Sequence, residues 1–497
     1  MTGHCSFSTR AAIDRRDTVA IVLSLAMVLW PGVAAPAGAA SRAVTAPDTE
    51  PPRITSHAPL PIDADPSNVL AEYLAIPQPS FGWRVRDTQQ LPGGVVNHRL
   101  ILTSQTWRGG DWVHPLNVLV PTIEGDPPVT GHAILLITAG DEQAHANIVG
   151  LLAARLGVPI AILHQVPNQP LLRELTPNGR GLREDALIAE TFKLFLETGE
   201  PDWPLLLPMT RSAVAAMDAL ELFSEDRMQQ DDDWTFGRLT RFVTTGASKR
   251  GWTTWLSAAA DERVIGIAPM VYDNLNLQAQ IQLHLESWGA PSPSIHDYTE
   301  RDLLDKFDTQ RGQQLLAIVD PAAYVERLTV PKLLLMGTND SYWPLGAVHE
   351  YLGSLPGRTF VHYVPNGGHT LGGSLTVLSA IGAFFEMVTG PREVIWPVAT
   401  ITRRGALAEI HLEDPASLIN AVRLWWATAD DLDFRRARWS RLSVPLGVEG
   451  IARATLPDAV NGAGAVALIA EIEMLDERGQ PVLIHSPVLI DRSATRD

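Results

Sequence analysis

Ser248, Asp340 and His369 follow one another along the chain as the members of an acyl-transfer triad would. A serine hydroxyl attacks a carbonyl efficiently only when a base within reach takes its proton. That base works best when an acid holds its imidazole in one tautomer. Ser248 sits in Gly246-Ala247-Ser248-Lys249-Arg250-Gly251, where a sharp turn between an apolar strand and a helix would expose the hydroxyl. Asp340 lies in Gly337-Thr338-Asn339-Asp340, directly after the apolar run Leu333–Met336. His369 closes Pro365-Asn366-Gly367-Gly368-His369, after the run Thr359–Val364. The roles that follow are Ser248 as nucleophile, His369 as general base and then acid, and Asp340 as the group that fixes the tautomer. The oxyanion would be held by the backbone N–H of Lys249 and by one from the turn Ala139-Gly140-Asp141.

Each of these residues also fits a plainer role. Aspartate is a favoured helix cap, so Asp340 fits a cap as well as a catalytic acid, and Asp273, after the run Val264–Met270, is a second candidate acid. The Lys249 ammonium fits an oxyanion, an anionic substrate or plain solvent, whereas Arg250 is expected to pair structurally. Asp141, Glu142 and His145 fit a pocket wall or a cation site, though a solvated helix start is expected ahead of either. Trp107, Trp112, Tyr342 and Trp343 fall in loops near strand ends, where packing is expected ahead of an aromatic platform for a sugar. The elbow departs from Gly-x-Ser-x-Gly: Arg250 holds the place of the second glycine, which comes one residue later.

The elements that must carry these loops are legible as unbroken apolar runs. Ala133–Ile137, Pro159–Leu163, Arg241–Thr245, Val264–Met270, Pro331–Gly337 and Thr359–Val364 lack polar alternation, and stretches of helical period separate them. Such strands belong to a parallel sheet covered on both faces. Val96–Leu102 and Leu116–Val120 read as earlier strands. The proposed site residues all fall at the carboxyl ends of strands, where open α/β sheets bind ligands. Residues from about 170 to 240 read as a helical insertion, and Leu275–Leu315 as an irregular helical stretch over the site. After Gly390-Pro391 the pattern turns to short alternating strands, with Val422, Leu424 and Trp426 on one face and Val466, Leu468, Ala470, Ile472 and Met474 on another. A small β-sandwich over 391–497 is the expected form, behind a hydrolase unit over 68–390.

A chain of 497 residues is too long for one simple core. With 56 acidic against 39 basic residues, the net charge of −17 argues against a nucleic-acid partner, which needs a basic face. Arg15-Arg16 precede the apolar run Thr18–Val33, and Ala37-Gly38-Ala39 offers a cleavage site. Residues 1–39 thus read as a signal peptide, by the general or the twin-arginine route, leaving no stable membrane span after cleavage. Residues 40–67 read as a flexible leader, and a periplasmic or secreted location follows. Cys5 lies within that signal and is the chain's one cysteine, so the mature form is expected to have no disulfide, thiolate nucleophile or thiolate zinc site. No zincin or dinucleotide motif is present, and no cofactor or metal is expected.

The stretch Thr245–Trp255 resembles the signature of the PhoPQ-activated pathogenicity-related proteins. So do Gln165-Val166-Pro167-Asn168-Gln169-Pro170-Leu171, Glu184-Asp185-Ala186-Leu187-Ile188-Ala189, and Asn339-Asp340 with Trp343-Pro344. The resemblance spans roughly residues 65 to 480 and implies an exported α/β-hydrolase fold with a C-terminal β-domain. It defines no substrate. The elbow is also similar to that of glucuronoyl esterases, Gly-Cys-Ser-Arg-x-Gly, in the basic residue after the serine and the glycine at the third place. That similarity implies an ester or acyl substrate, saccharide-linked in those enzymes.

Three functions fit the sequence. The leading one is an exported serine hydrolase that acts on a small-molecule or peptide ester or amide. The second is a non-catalytic binding or signalling protein on a hydrolase scaffold, with a protein partner for the β-domain. The third is an esterase of saccharide-linked acyl groups. The complete triad order favours the first, whereas the unusual elbow and the acidic second turn favour the second.

Overall fold

The computed structural model describes residues 65–492 except 141, 143–144, 231–232, 374, 391–395, 414–418, 448–449 and 477–478. The expected signal peptide with Cys5, nearly all of the expected leader, and Gly390-Pro391 beyond Gly390 lie outside the described residues.

A short helix α1 (Val69–Ala75) precedes an antiparallel meander of β1 (Gly82–Leu91), β2 (Val95–Trp107) and β3 (Gly110–Pro121). Then come β4 (His132–Ile137), α2 (Ala146–Leu156), β5 (Ile160–Leu163), α3 (Glu184–Thr198), α4 (Leu206–Gln230), β6 (Arg241–Ala247), α5 (Lys249–Ala260) and β7 (Val264–Met270). A helical layer follows: α6 (Leu277–Trp288), α7 (His296–Thr299), α8 (Leu303–Lys306) and α9 (Gln310–Val319). β8 (Lys332–Gly337), β9 (Thr359–Val364) and α10 (Leu375–Thr389) complete this part.

The sheet order is β1-β2-β3-β5-β4-β6-β7-β8-β9, with β5 to β9 parallel to one another. This is an α/β-hydrolase fold. The apolar runs are explained by cover on both faces. Along β4, Ala133, Leu135 and Ile137 join the core that holds Phe192, Met209 and Trp255, while Ile134 joins the core of Val149, Leu152 and Phe384. Side chains alternate across a strand, so a strand between two helical layers is apolar at every position. Each of the Leu and Ile side chains contributes about 1.5–3 kcal/mol on burial. Helix α2 stops at Gly157, whose φ of +71° carries the left-handed turn that ends it.

The C-terminal strands are β10 (Val398–Arg404), β11 (Leu407–Glu413), β12 (Ile419–Ala429), β13 (Ser440–Val444), β14 (Ile451–Thr455), β15 (Ala465–Leu475), β16 (Pro481–His485) and β17 (Leu489–Arg492). A sheet β10-β11-β14 packs Ala399, Ile410 and Ala452 into the same core as Val422, Leu424, Ala470 and Ile472 from β12 and β15. This is the expected β-sandwich, and the two predicted apolar faces are one: Val422 is opposite Ile472, Leu424 opposite Ala470 and Trp426 opposite Leu468. One feature was not foreseen. β16 pairs with β9 at His485 and Val361, so the larger C-terminal sheet extends the hydrolase sheet.

Candidate active site

Strand β6 delivers Ser248 and α5 leaves from it at once. Ser248 has φ 57° and ψ −122°, a conformation of roughly 1–3 kcal/mol strain for a side chain other than glycine. Its surroundings hold it there: its N–H donates to the Met270 carbonyl at 2.8 Å, and its own carbonyl accepts from Trp252 at 3.0 Å. The displaced glycine has a structural reason. A β-carbon on Gly251 would lie 2.9 Å from Tyr272 Cβ and 3.0 Å from the Met270 carbonyl, so it is at the third place after the serine that α5 comes against β7. A β-carbon on Gly246 would lie 2.7 Å from the Arg250 carbonyl. Position 250 carries a long side chain that is buried and held by Glu184 and the Val166 carbonyl.

The loops after β8 and β9 bring Asp340 and His369 to this turn. His369 Nε2 lies 3.0 Å from Ser248 Oγ, and its Nδ1 lies 2.7 and 2.9 Å from the two Asp340 carboxylate oxygens. Asp340 Oδ1 also accepts from the Tyr342 backbone N–H at 2.7 Å. The Tyr342 ring stacks on the imidazole with centroids 4.0 Å apart. Asp340 and His369 are each 8% exposed, so this chain of hydrogen bonds runs largely out of water. With Nδ1–H donated to the carboxylate, Nε2 is the lone pair that faces the hydroxyl.

Of the three expected oxyanion donors, Lys249 opens α5, where the first backbone N–H groups have no intrahelical acceptor. The Gly140 N–H donates to Thr138 Oγ1 at 3.1 Å, within its own turn. Asp141 lies outside the described residues.

The two cations after Ser248 are both paired. Lys249 Nζ lies 2.8 Å from Asp185 Oδ2 and 3.5 Å from Glu184 Oε2. Arg250 grips Glu184 with two bonds of 2.7 and 2.8 Å and also donates to the Val166 carbonyl. Tyr298 donates to the other Asp185 oxygen at 3.1 Å. Burial works to raise the Glu184 pKa, but the Arg250 guanidinium and then the Lys249 ammonium outweigh it, and the carboxyl stays well below its ordinary range. In the sequence Glu184 and Asp185 stand out only within the family-like motif; nothing local ties them to Lys249 and Arg250.

Beside Ser248 opens a pocket. Phe192 of α3, Trp252 of α5, and Leu277, Ile281, Leu304 and Phe307 of the helical layer give it apolar walls, and the Lys249–Asp185 pair lies at its polar edge. The layer over 275–315 thus covers the site as expected. His284 also lines the pocket; burial and the nearby Arg435 hold its pKa down at about 4.

The other candidates separate. Asp273 is buried beside a small cavity that Asp340 also lines, and Tyr351 donates to it at 2.6 Å. Burial raises its carboxyl to about 7 against the opposing effect of that bond. Trp107 and Trp112 pack edge to face with each other, and Trp107 does so with Trp203, inside the core. Trp343 lines the pocket and donates to the Val271 carbonyl. Glu142 pairs with Arg86 at 2.5 Å, and His145 lies 3.4 Å from Thr138 Oγ1. Among the described residues, no three or more His, Cys, Asp or Glu side chains gather as a metal ion would require, and no helix is long and apolar enough to cross a membrane.

Comparison with known proteins adds the following. The family model described as PhoPQ-activated pathogenicity-related protein matches residues 70–435. Autocrine proliferation repressor protein A of Dictyostelium discoideum is 29% identical over 338 residues, covering 65% of this chain and 65% of that protein. The chain thus spans just under two thirds of the length of that curated relative. Among solved structures, an acetyl xylan esterase from Paenibacillus sp. R4 is 14% identical with a TM-score of 0.46, covering 62% of this chain and 90% of its own. A glucuronoyl esterase from Solibacter usitatus is 13% identical with a TM-score of 0.34, covering 60% and 87%.

Proposed function

The chain belongs to the PhoPQ-activated pathogenicity-related family, and from that premise we propose that it is an exported serine hydrolase acting on carboxylic esters or amides. The observation that carries this is the unbroken line Ser248 Oγ–His369 Nε2–His369 Nδ1–Asp340, with each step at hydrogen-bond distance. His369 takes the hydroxyl proton as Ser248 attacks the carbonyl. The Lys249 N–H receives the oxyanion, and collapse expels an alcohol or amine that collects the proton from His369. Water then repeats the sequence on the acyl-enzyme and returns the acid and free Ser248. Asp340 keeps Nδ1 protonated throughout and stabilises the imidazolium.

Export rests on residues 1–39 alone, and amino-terminal sequencing of the mature protein tests it. The reading as a binding protein draws on the Gly140 N–H, which is engaged within its own turn. A fluorophosphonate decides between enzyme and binder. Adduct at Ser248, found by mass spectrometry and absent in Ser248→Ala and His369→Ala, is the expected result. A folded protein that neither labels nor turns over small esters would overturn the enzyme reading.

A further inference from the structure

We infer that the segment 434–439 of the C-terminal sandwich is a working part of the triad, because it grips the acid loop through Asn339 and the base loop through Asn366. This rests on the triad reading above. Asn339 directly precedes Asp340. Its Nδ2 donates into a cluster of three backbone carbonyls, those of Phe434 at 3.1 Å, Arg435 at 3.3 Å and Ala437 at 2.7 Å. Asn366 lies three residues before His369. Its Oδ1 accepts from the Trp439 N–H at 2.8 Å and its Nδ2 donates to the Trp439 carbonyl at 3.2 Å. Two loops that come from different strands are thus fastened to one short segment of a third.

The chemistry requires carboxamides at both places. Three carbonyl oxygens accept from an –NH2 group and would repel a carboxylate. A peptide's N–H and C=O are matched together only by a group with one acceptor and one donor. The two loops are also joined to each other. Thr338 Oγ1 donates to Asn339 Oδ1 at 2.8 Å and accepts from the Asn366 N–H at 2.8 Å, and the Asn339 N–H donates to the Gly367 carbonyl at 2.9 Å. Phe434 and Trp439 are buried in the core that also holds Phe192 and Trp255, which anchors the segment against the hydrolase part. Between them, Arg435 places its guanidinium 4.1 Å over the ring of Trp288, the last residue of the pocket helix α6. Acid loop, base loop and pocket cover therefore share one support, and Asn339 and Asn366 act as positioning residues for the Asp340–His369 pair.

The test uses the full chain with Asn339→Ala, Asn366→Ala and the double variant, beside Asn420→Ala, at an exposed position of β12, as a control. The rate of fluorophosphonate adduct formation at Ser248 is measured against pH, with thermal unfolding as the check on folding. Expected are native unfolding curves, labelling slowed roughly 10- to 100-fold, and an acidic limb moved to lower pH because Asp340 no longer supports the imidazolium as well. A lower folded fraction would scale the rate without moving the limb. Rates within about twofold of the parent with an unmoved limb would overturn the inference while leaving the triad intact. If the parent itself does not label, the hydrolase reading falls. The positioning role is then judged by hydrogen exchange over 338–343 and 365–371. Faster exchange in both single variants supports it, and unchanged exchange overturns it.

Discussion

Removing the Glu184 carboxylate tests whether the charged cluster beside Ser248 holds the elbow in place. In Glu184→Ala, the Arg250 guanidinium loses two bonds of 2.7 and 2.8 Å and keeps the Val166 carbonyl. Arg250 is only 5% exposed, so water cannot replace what is lost. Stranding one member of a buried pair costs about 3–5 kcal/mol. The Glu184 side chain keeps 32% of its surface in water, which argues for the lower end, about 3 kcal/mol. With an unfolding entropy of about 2.1 cal/mol/K per residue over roughly 430 residues, that is only about 3 °C in Tm. Denaturant titration beside calorimetry is the suitable assay. A Glu184→Met, Arg250→Met pair should recover to within about 1 kcal/mol of the parent, because it strands no charge. The same carboxyl sets a pH dependence. Its folded pKa is held below the ordinary 4.5, so its stabilisation is complete above about pH 4.5 and is lost as pH falls through the folded value. Glu184→Gln should flatten that acid limb. A Tm change under about 1 °C in Glu184→Ala, with no shift in denaturant midpoint, would refute the reasoning.

Four other outcomes are expected. Gly251→Ala should push α5 off β7 and slow phosphonate labelling at least about tenfold, while Gly353→Ala, with no atom within 4 Å of the added carbon, should not. Asp340→Asn should cut the labelling rate by roughly 10³–10⁴ through the wrong imidazole tautomer, whereas Asp273→Asn should leave it within a few-fold. Asp273 carries a raised carboxyl pKa of about 7, so the folded state holds an extra proton between about pH 4 and 7 and loses stability as pH rises through that window. Buried Asp320, raised to about 6, adds to that decline, so chemical denaturation from pH 4 to 8 should show a shallower decline in Asp273→Asn than in the parent. Finally, Lys249 and Arg250 are each matched by an acid, so a charged acyl group would enter the pocket unpaired. Nitrophenyl acetate and butyrate should exceed the succinate half-ester and a lysine ester in kcat/KM by about tenfold or more.

What the sequence disclosed and what it hid divide along a physical line. The parallel strands were legible because cover on both faces makes them apolar throughout, and the triad loops because they follow those strands directly. β1 was not legible: most of Gly82–Leu91 is exposed, and its run of Arg, Asp and Gln shows no apolar face. The junction of β16 with β9 pairs residues more than a hundred positions apart, His485 with Val361, and no local pattern reports such a pairing. The supports of the site were hidden for the same reason. Asn339 and Asn366 look like ordinary loop asparagines until the carbonyls of 434–439 are brought to them.

The two cations at the elbow pose an electrostatic problem whose solution ties together distant parts of the chain. A helix N-terminus already carries about half a positive charge, and two cationic side chains in its first turn add to it unfavourably. At α5 those residues are Lys249 and Arg250, both buried. The compensation comes from the first turn of another helix, α3, where acids are favoured for the same reason and where Glu184 and Asp185 stand. Acids at one N-terminus and cations at another thus neutralise each other across the edge of the pocket. This accounts for why Glu184-Asp185 and Lys249-Arg250, more than sixty residues apart, work as one unit. It also bears on the chemistry. On the proposed hydrolase reading, with the Lys249 ammonium held by Asp185, stabilisation of an oxyanion falls to the N–H groups that open α5. Those groups lose their aim if the pairs that seat the helix are broken, so elbow stability and nucleophile activation should fall together in the Glu184 variants.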